Sequence, residues 1–168
     1  VDASVGKVLE TVRELKMEGR TLVIFTSDNG GTARAVNTPL RGNKASTWEG
    51  GMREPTIAWW PGKIPAGGAT DEITSNMDIL PTLVNLAGGK IPADRIIDGR
   101  DIWPLLSGEG SAKSPHDVFY YFRGDKLEGV RSGPWKLRLE GKGTALYNLA
   151  TDISETTDTA SANPQVVA

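Results

Sequence analysis

Thr21-Leu22-Val23-Ile24-Phe25-Thr26 runs directly into Ser27-Asp28-Asn29-Gly30-Gly31. The first part is an apolar run without alternation, which predicts a strand buried on both faces, as in a parallel sheet covered by helices. Upstream, Val5, Val8, Leu9, Val12 and Leu15 recur at helical spacing, with Lys7, Glu10, Arg13 and Glu14 elsewhere. That pattern predicts an amphipathic helix. Asp2 or Ser4 stands where an N-cap belongs, and Gly19 where a C-cap glycine belongs. Helix, short loop and buried strand together predict an α/β fold.

Beyond the strand, residues 27–54 are rich in Gly, Asn and Thr and show no sustained periodicity. A loop of that length inside a domain usually carries function. Residues 55–60 predict a second short strand closed by Pro61-Gly62, and residues 72–75 a third. Residues 78–87 predict a helix with Ile79, Leu80, Leu83, Val84 and Ala87 on its apolar face, ended by Gly88-Gly89. Pro81 is tolerated there because it falls in the first turn. Residues 102–106 predict a further helical turn. Near Pro115 the character changes. Residues 118–122, 129–131, 135–139 and 145–149 read as short strands separated by turn signals such as Ser132-Gly133-Pro134. They predict a small antiparallel sheet appended to the α/β part, and Asn163-Pro164 predicts a helix start near the end of the chain.

The 168 residues suffice for one domain, or one domain with a small appendage. A net charge of −2 leaves no electrostatic footprint for nucleic acid and no basic stretch for a membrane surface. The apolar runs are too short to span a bilayer. The absence of cysteine excludes disulfides, thiolate metal sites and cysteine nucleophiles. Val1-Asp2-Ala3-Ser4 has no charged segment followed by an apolar one, so no signal peptide is expected.

Asp28 and Asn29 follow the strand, where ligands of open α/β sheets bind. Their carboxylate and amide oxygens suit a hard cation such as calcium or magnesium. Asn-Gly is equally a hairpin turn signal, but here it opens a long loop rather than a partner strand. Lys44 offers a compact charge for an anionic oxygen of phosphate or sulfate, against the plainer reading of a solvated loop lysine. Arg41 and Arg53 either share that anion or tie down loop carbonyls, and Trp48 is expected to serve packing. The aromatic residues of the appended strands are expected to form its core, while Arg131 and Lys136 are expected to face solvent.

An ordered set of motifs runs through the chain. Phe25 to Gly31 is followed by Gly42-Asn43-Lys44, then by Trp48-Glu49-Gly50-Gly51-Met52-Arg53-Glu54-Pro55 and Trp60-Pro61-Gly62. Next come Met77-Asp78-Ile79-Leu80-Pro81-Thr82-Leu83, Asp98-Gly99-Arg100-Asp101 and Pro104-Leu105-Leu106-Ser107-Gly108. Arg131-Ser132-Gly133-Pro134-Trp135-Lys136-Leu137 and Leu146-Tyr147-Asn148-Leu149 complete it. In order and spacing the set resembles the sulfatase family over nearly the whole chain.

The resemblance implies the C-terminal part of a sulfatase-like α/β sandwich over residues 1–115, and a small antiparallel subdomain over residues 116–168. It implies sulfate-ester hydrolysis by a formylglycine nucleophile with calcium, and it maps the metal-binding pair onto Asp28 and Asn29 and the sulfate-binding lysine onto Lys44. The family's Cys/Ser-x-Pro-x-Arg segment, its early aspartates and its active-site histidines have no counterpart here. The single histidine, His116, lies outside the matched positions. The isolated chain is therefore expected to be inactive and to hold calcium weakly. The expected partner is a sulfate ester, with a sulfated carbohydrate preferred. An exposed sheet edge invites self-association. A phosphonate or phosphate ester hydrolase of the same superfamily, or a non-catalytic binding module, are the rival readings. Periplasmic, secreted and lysosomal settings are typical of the family, and the sequence does not choose among them.

Overall fold

In the computed structural model, which describes residues 1–141 and 143–168, helix α1 spans Asp2–Glu14. Neither Asp2 nor Ser4 caps it: the N-cap is Val1, with no side-chain bond. Its end also comes earlier than Gly19. Met17 N–H reaches Val12 O and Lys16 N–H reaches Arg13 O, the two bonds of a Schellman closure. Lys16 takes the left-handed conformation there, at φ 54°. Glycine favours such a position but is not required for it.

Strand β1 (Val23–Phe25) lies shorter than the apolar run, and β2 (Ile57–Trp59) is its partner. They pair antiparallel, Val23 opposite Trp59 and Phe25 opposite Ile57. This corrects the expected parallel, doubly covered strand: among the described residues the sheet has these two strands only, and its side chains are half-buried or exposed. The Thr26 and Thr56 hydroxyls, 2.9 Å apart, close the ends of the segment between the two strands.

The chain divides into two units, one of Val1–Thr26 with Thr56–Pro115 and one of Ser27–Pro55 with His116–Ala168. In the first, Arg13 lies over the Trp59 ring, Trp60 meets Trp103 edge-on, and the Trp60 indole donates to Gly19 O at 3.0 Å. Residues 72–75 are not a strand. Glu72 instead accepts Ser114 N–H and the Lys113 ammonium, and Ser75 caps a 3-10 turn over Asn76–Asp78. After the short α2 (Glu49–Met52), which belongs to the second unit, helix α3 (Ile79–Leu86) follows here, and α4 (Trp103–Leu106) forms the later turn.

The buried side of α3 differs from its apolar stripe. Pro81 and Thr82 are buried, whereas Leu80 and Leu83 are 56% and 44% exposed. A polar hub explains this. Asp78 is fully buried and accepts Ser75 N–H at 2.7 Å and Arg100 N–H at 2.8 Å. The Thr82 hydroxyl donates to Asp78 O and accepts Ile102 N–H. Gly99 lies so close to Met77 O that a Cβ would collide with it. The Met77-Asp78 and Asp98-Gly99-Arg100 motifs thus meet as one structural joint.

In the second unit β3 (Phe119–Arg123), β4 (Lys126–Ser132), β5 (Trp135–Glu140) and β6 (Gly143–Asn148) form an antiparallel meander. One face carries Tyr121, Gly129, Arg138 and Ala145 in one row and Arg131, Lys136 and Tyr147 in the next. Segment 47–49 and Glu155 lie on this face. The opposite face carries Tyr120 and Leu139, which are 57% and 36% exposed. Lys136 is fully buried and Arg138 nearly so. The expectation that Lys136 faces solvent is therefore wrong. The register turns the basic residues of β5 inward because acidic partners wait there, and the alternating leucines turn outward. Of the aromatic residues, Tyr121 and Tyr147 join the buried face, while Tyr120 and Phe122 remain largely exposed. Helix α5 (Pro164–Val167) begins with Pro164 in its first turn, as the sequence predicts. No helix of the described residues is long and apolar enough to cross a membrane.

Candidate functional site

The candidate residues lie in the second unit, on the long loop between Ser27 and Pro55. Backbone geometry brings Asp28-Asn29 and Lys44 to one place. The Lys44 N–H donates to Gly31 O at 2.9 Å, and the Gly30 N–H donates to Gly51 O at 3.1 Å. Asn37 binds the same loop from its side chain, donating to Gly31 O and Gly42 O. Three glycines permit this closeness. A Cβ on Gly30 would strike Gly50 O, one on Gly50 would strike Gly42 O, and one on Gly51 would strike Ser46 O. The loop is an ordered crossing of two backbone segments, and Asn29-Gly30 does not form a hairpin between paired strands.

Asp28 and Lys44 are exposed, and Asn29 is half-buried. The Ser27 hydroxyl donates to Asn29 O, and the Asn29 amide nitrogen donates to Gly30 O at 3.2 Å. With its nitrogen so engaged, Asn29 has its amide oxygen left for a cation. Burial, and then the charge of Asp28, push the Glu54 carboxyl above its usual range.

Calcium, implied by the resemblance, can be tested against these donors. An aspartate carboxylate and an asparagine oxygen are the hard ligands that calcium takes. They are two donors where the ion takes about six to eight oxygens. Among the described residues no group of three or more His, Asp or Glu side chains is placed to hold a metal. The pair fits calcium as part of a larger ligand set.

The arginines and Trp48 behave as supports. The Arg41 guanidinium donates to Glu155 O at 2.8 Å, and Arg53 lies 3.9 Å from the Glu49 carboxylate. Trp48 is held between the Arg41 and Arg138 guanidiniums, 3.7 and 3.6 Å from its ring, with Tyr147 edge-on. His116 meets Phe119 edge-on.

A buried ionic cluster beneath the loop escaped the sequence reading. The Lys136 ammonium lies 2.8 Å from Glu49 Oε1 and 2.9 Å from Glu155 Oε1. Glu155 Oε2 accepts the Glu49 N–H at 2.7 Å. Arg131 approaches Glu49 at 3.7 Å, and Tyr121 lies under the Lys136 ammonium. Burial pushes the Glu155 carboxyl up, with Lys136 opposing it. Burial also pushes the Tyr121 hydroxyl up, with the Glu49 charge adding to it. Nearby, the Thr47 hydroxyl donates to Glu128, and Arg138 donates to Thr47. No local signal marks these residues, since partners lie 87 and 106 positions apart.

Residues 1–89 match the family model described as Sulfatase. The chain belongs to the sulfatase family. It is 44% identical over 144 residues to N-acetylgalactosamine-6-sulfatase of Canis lupus familiaris, covering 81% of this sulfatase chain and 27% of the dog protein. It is likewise 44% identical over 144 residues to steryl-sulfatase of Homo sapiens, covering 80% of this chain and 24% of the human protein. Its fold matches the crystal structure of Ps i-CgsB in complex with k-i-k-neocarrahexaose with a TM-score of 0.87 at 32% identity, over 99% of this chain and 38% of that one. This sulfatase chain thus spans about a quarter of the length of the curated relatives it matches.

Proposed function

We propose that this chain supplies one part of a sulfate-ester hydrolase site, with Asp28 and Asn29 as calcium ligands and Lys44 as a sulfate contact. The observation that carries this reading is the 2.9 Å bond from Lys44 N–H to Gly31 O, which ties the lysine loop to the residues beside the oxygen pair. Residues 1–115 then belong to the catalytic α/β domain and residues 116–168 to a small C-terminal subdomain.

The part each residue plays follows from its chemistry. Asp28 and Asn29 hold an ion by hard oxygen donors. Lys44 places a fixed positive charge against the sulfate oxygens, where negative charge grows during ester cleavage. Bound calcium would add Lewis acidity toward those same oxygens. The Cys/Ser-x-Pro-x-Arg motif that yields formylglycine, the family's nucleophile, does not occur in this chain, so the isolated chain is expected to turn over no substrate. A sulfated carbohydrate is the preferred substrate class, supported by a relative and a structural neighbour with carbohydrate names.

The test uses a sulfatase polypeptide of the relatives' length carrying this sequence, assayed on an aryl sulfate. Asp28→Asn and Lys44→Ala should each lower kcat/KM by about a hundredfold. Full activity in both variants would overturn the reading. Preference for an aryl phosphonate over the sulfate would replace it with the phosphonate alternative, and preference for a steroid sulfate over a sulfated sugar would overturn the substrate class. On sizing, the isolated chain should self-associate, because among the described residues β1 and β2 each have one strand neighbour and offer an open edge. A sharp monomer peak at high concentration would refute that part.

A further inference from the structure

We infer that Glu155 and Lys136 are positioning residues for the Asp28-Asn29 and Lys44 site, acting through the backbone of residues 41–51. The inference rests on the proposed roles of Asp28, Asn29 and Lys44.

The route is a continuous series of bonds. Lys136, fixed on β5, holds Glu49 and Glu155 together in a fully buried cluster. Glu155 Oε2 takes the Glu49 N–H at 2.7 Å and so orients the first residue of α2 (Glu49–Met52). From the other side Arg41 donates to Glu155 O, and its own carbonyl accepts Gly50 N–H at 2.7 Å. Both ends of the loop are thereby fixed to Glu155. The loop then sets the site. Gly51 O receives Gly30 N–H, one residue after Asn29, and Gly31 O receives Lys44 N–H. The glycine contacts leave no slack, because the Cβ positions of Gly30, Gly50 and Gly51 are already filled by carbonyl oxygens.

A cluster that served only stability has no need of this arrangement. A Lys-Glu pair on the sheet would satisfy both charges, whereas Glu155 spends its second oxygen on a loop amide and its carbonyl on a loop arginine. Glu155 also holds a left-handed backbone conformation at φ 52°, which bulky residues rarely adopt. Supporting contacts of this kind set the orientation of metal ligands, and their loss typically weakens metal affinity by about tenfold to a hundredfold.

The experiment uses a sulfatase polypeptide of the relatives' length carrying this sequence, with calcium affinity measured by calorimetry and amide exchange followed at Gly30. Glu155→Ala should weaken calcium by about tenfold, and Glu155→Gln, which keeps an oxygen for the Glu49 amide, should recover most of that affinity. Exchange at Gly30 should be about tenfold faster in Glu155→Ala. Leu146→Ala is the control. Leu146 is buried on the opposite face of the same sheet, so its loss lowers stability without touching the loop. An equal loss of calcium affinity in Leu146→Ala and Glu155→Ala would overturn the inference, as would unchanged affinity in Glu155→Ala. If Glu155→Ala does not fold, Arg41→Gln decides, with weakened calcium expected and unchanged calcium overturning. Asp28→Asn separates the two claims. Unchanged calcium in Asp28→Asn sinks the ligand assignment, whereas weakened calcium there with unchanged calcium in Glu155→Ala sinks the positioning role alone.

Discussion

Each unit of this chain is organised around buried carboxylates, and the two units satisfy them in different ways. Asp78 lies at a helix start and takes backbone N–H groups from Ser75 and Arg100. Glu155 and Glu49 instead share one buried ammonium, Lys136. Backbone amides are present whatever the sequence, so the Asp78 arrangement needs a single specific side chain and close approach at Gly99. The Lys136 arrangement needs three side chains from separate segments, and the desolvation penalty of each is offset chiefly by the charges of the others. The lesson is one of fragility. A buried charge held by amides degrades gradually, and a buried charge held by another charge fails as a set.

Removing Lys136 should show the larger effect. Lys136→Met removes the ammonium that two buried carboxylates share, and breaking such a buried pair costs about 3–5 kcal/mol. Urea unfolding of the chain should register that loss, and adding Glu155→Gln to Lys136→Met should recover part of it. Asp78→Asn should cost less, about 1–3 kcal/mol, because one oxygen still accepts an amide while the new NH2 group faces the other. A larger loss for Asp78→Asn than for Lys136→Met would reverse the ranking and with it the claim that the ionic cluster is the more fragile joint.

The same contrast explains what was legible in the sequence. Helix α3, the meander of β3 to β6 and the turn at α4 rest on local signals, namely apolar spacing, glycine turns and a proline in a first turn, and each appears close to its expected place. The inward face of the meander was not legible. Trp135-Lys136-Leu137-Arg138-Leu139 alternates so that pattern alone turns the leucines inward, yet Lys136 and Arg138 are the buried pair. Binary patterning fails there because it takes no account of a carboxylate arriving from residue 49 or 155. The strand at Val23–Phe25 is legible, but its antiparallel partner is not, since an apolar run reports what a strand is made to contact and not which strand lies beside it. At the candidate site Asp28, Asn29 and Lys44 could be named from type and position. The crossing of their loops at Gly30, Gly31 and Gly51 depends on bonds between segments and became visible only in the fold.

The smallest effect tests the contrast at the surface, where amides again hold a carboxylate. Asp158 accepts the N–H groups of Leu146 and Ala160, both at 2.9 Å, and these bonds hold its carboxyl below the usual range. A carboxylate with a lowered folded pKa adds stability above its unfolded pKa of about 3.9, and that contribution disappears as pH falls through the folded value. Wild type should therefore lose more of its urea resistance than Asp158→Asn between neutral pH and the acid side of that unfolded value. The advantage that ionised Asp158 gives wild type at neutral pH should be small because the group is solvated, and it should be wholly lost well below the folded value, where Asp158 is itself neutral. An identical acid response of the two proteins across the whole range would show that the paired amides do not favour the ionised form. The gradual failure attributed to amide-held acids would then lose its simplest case.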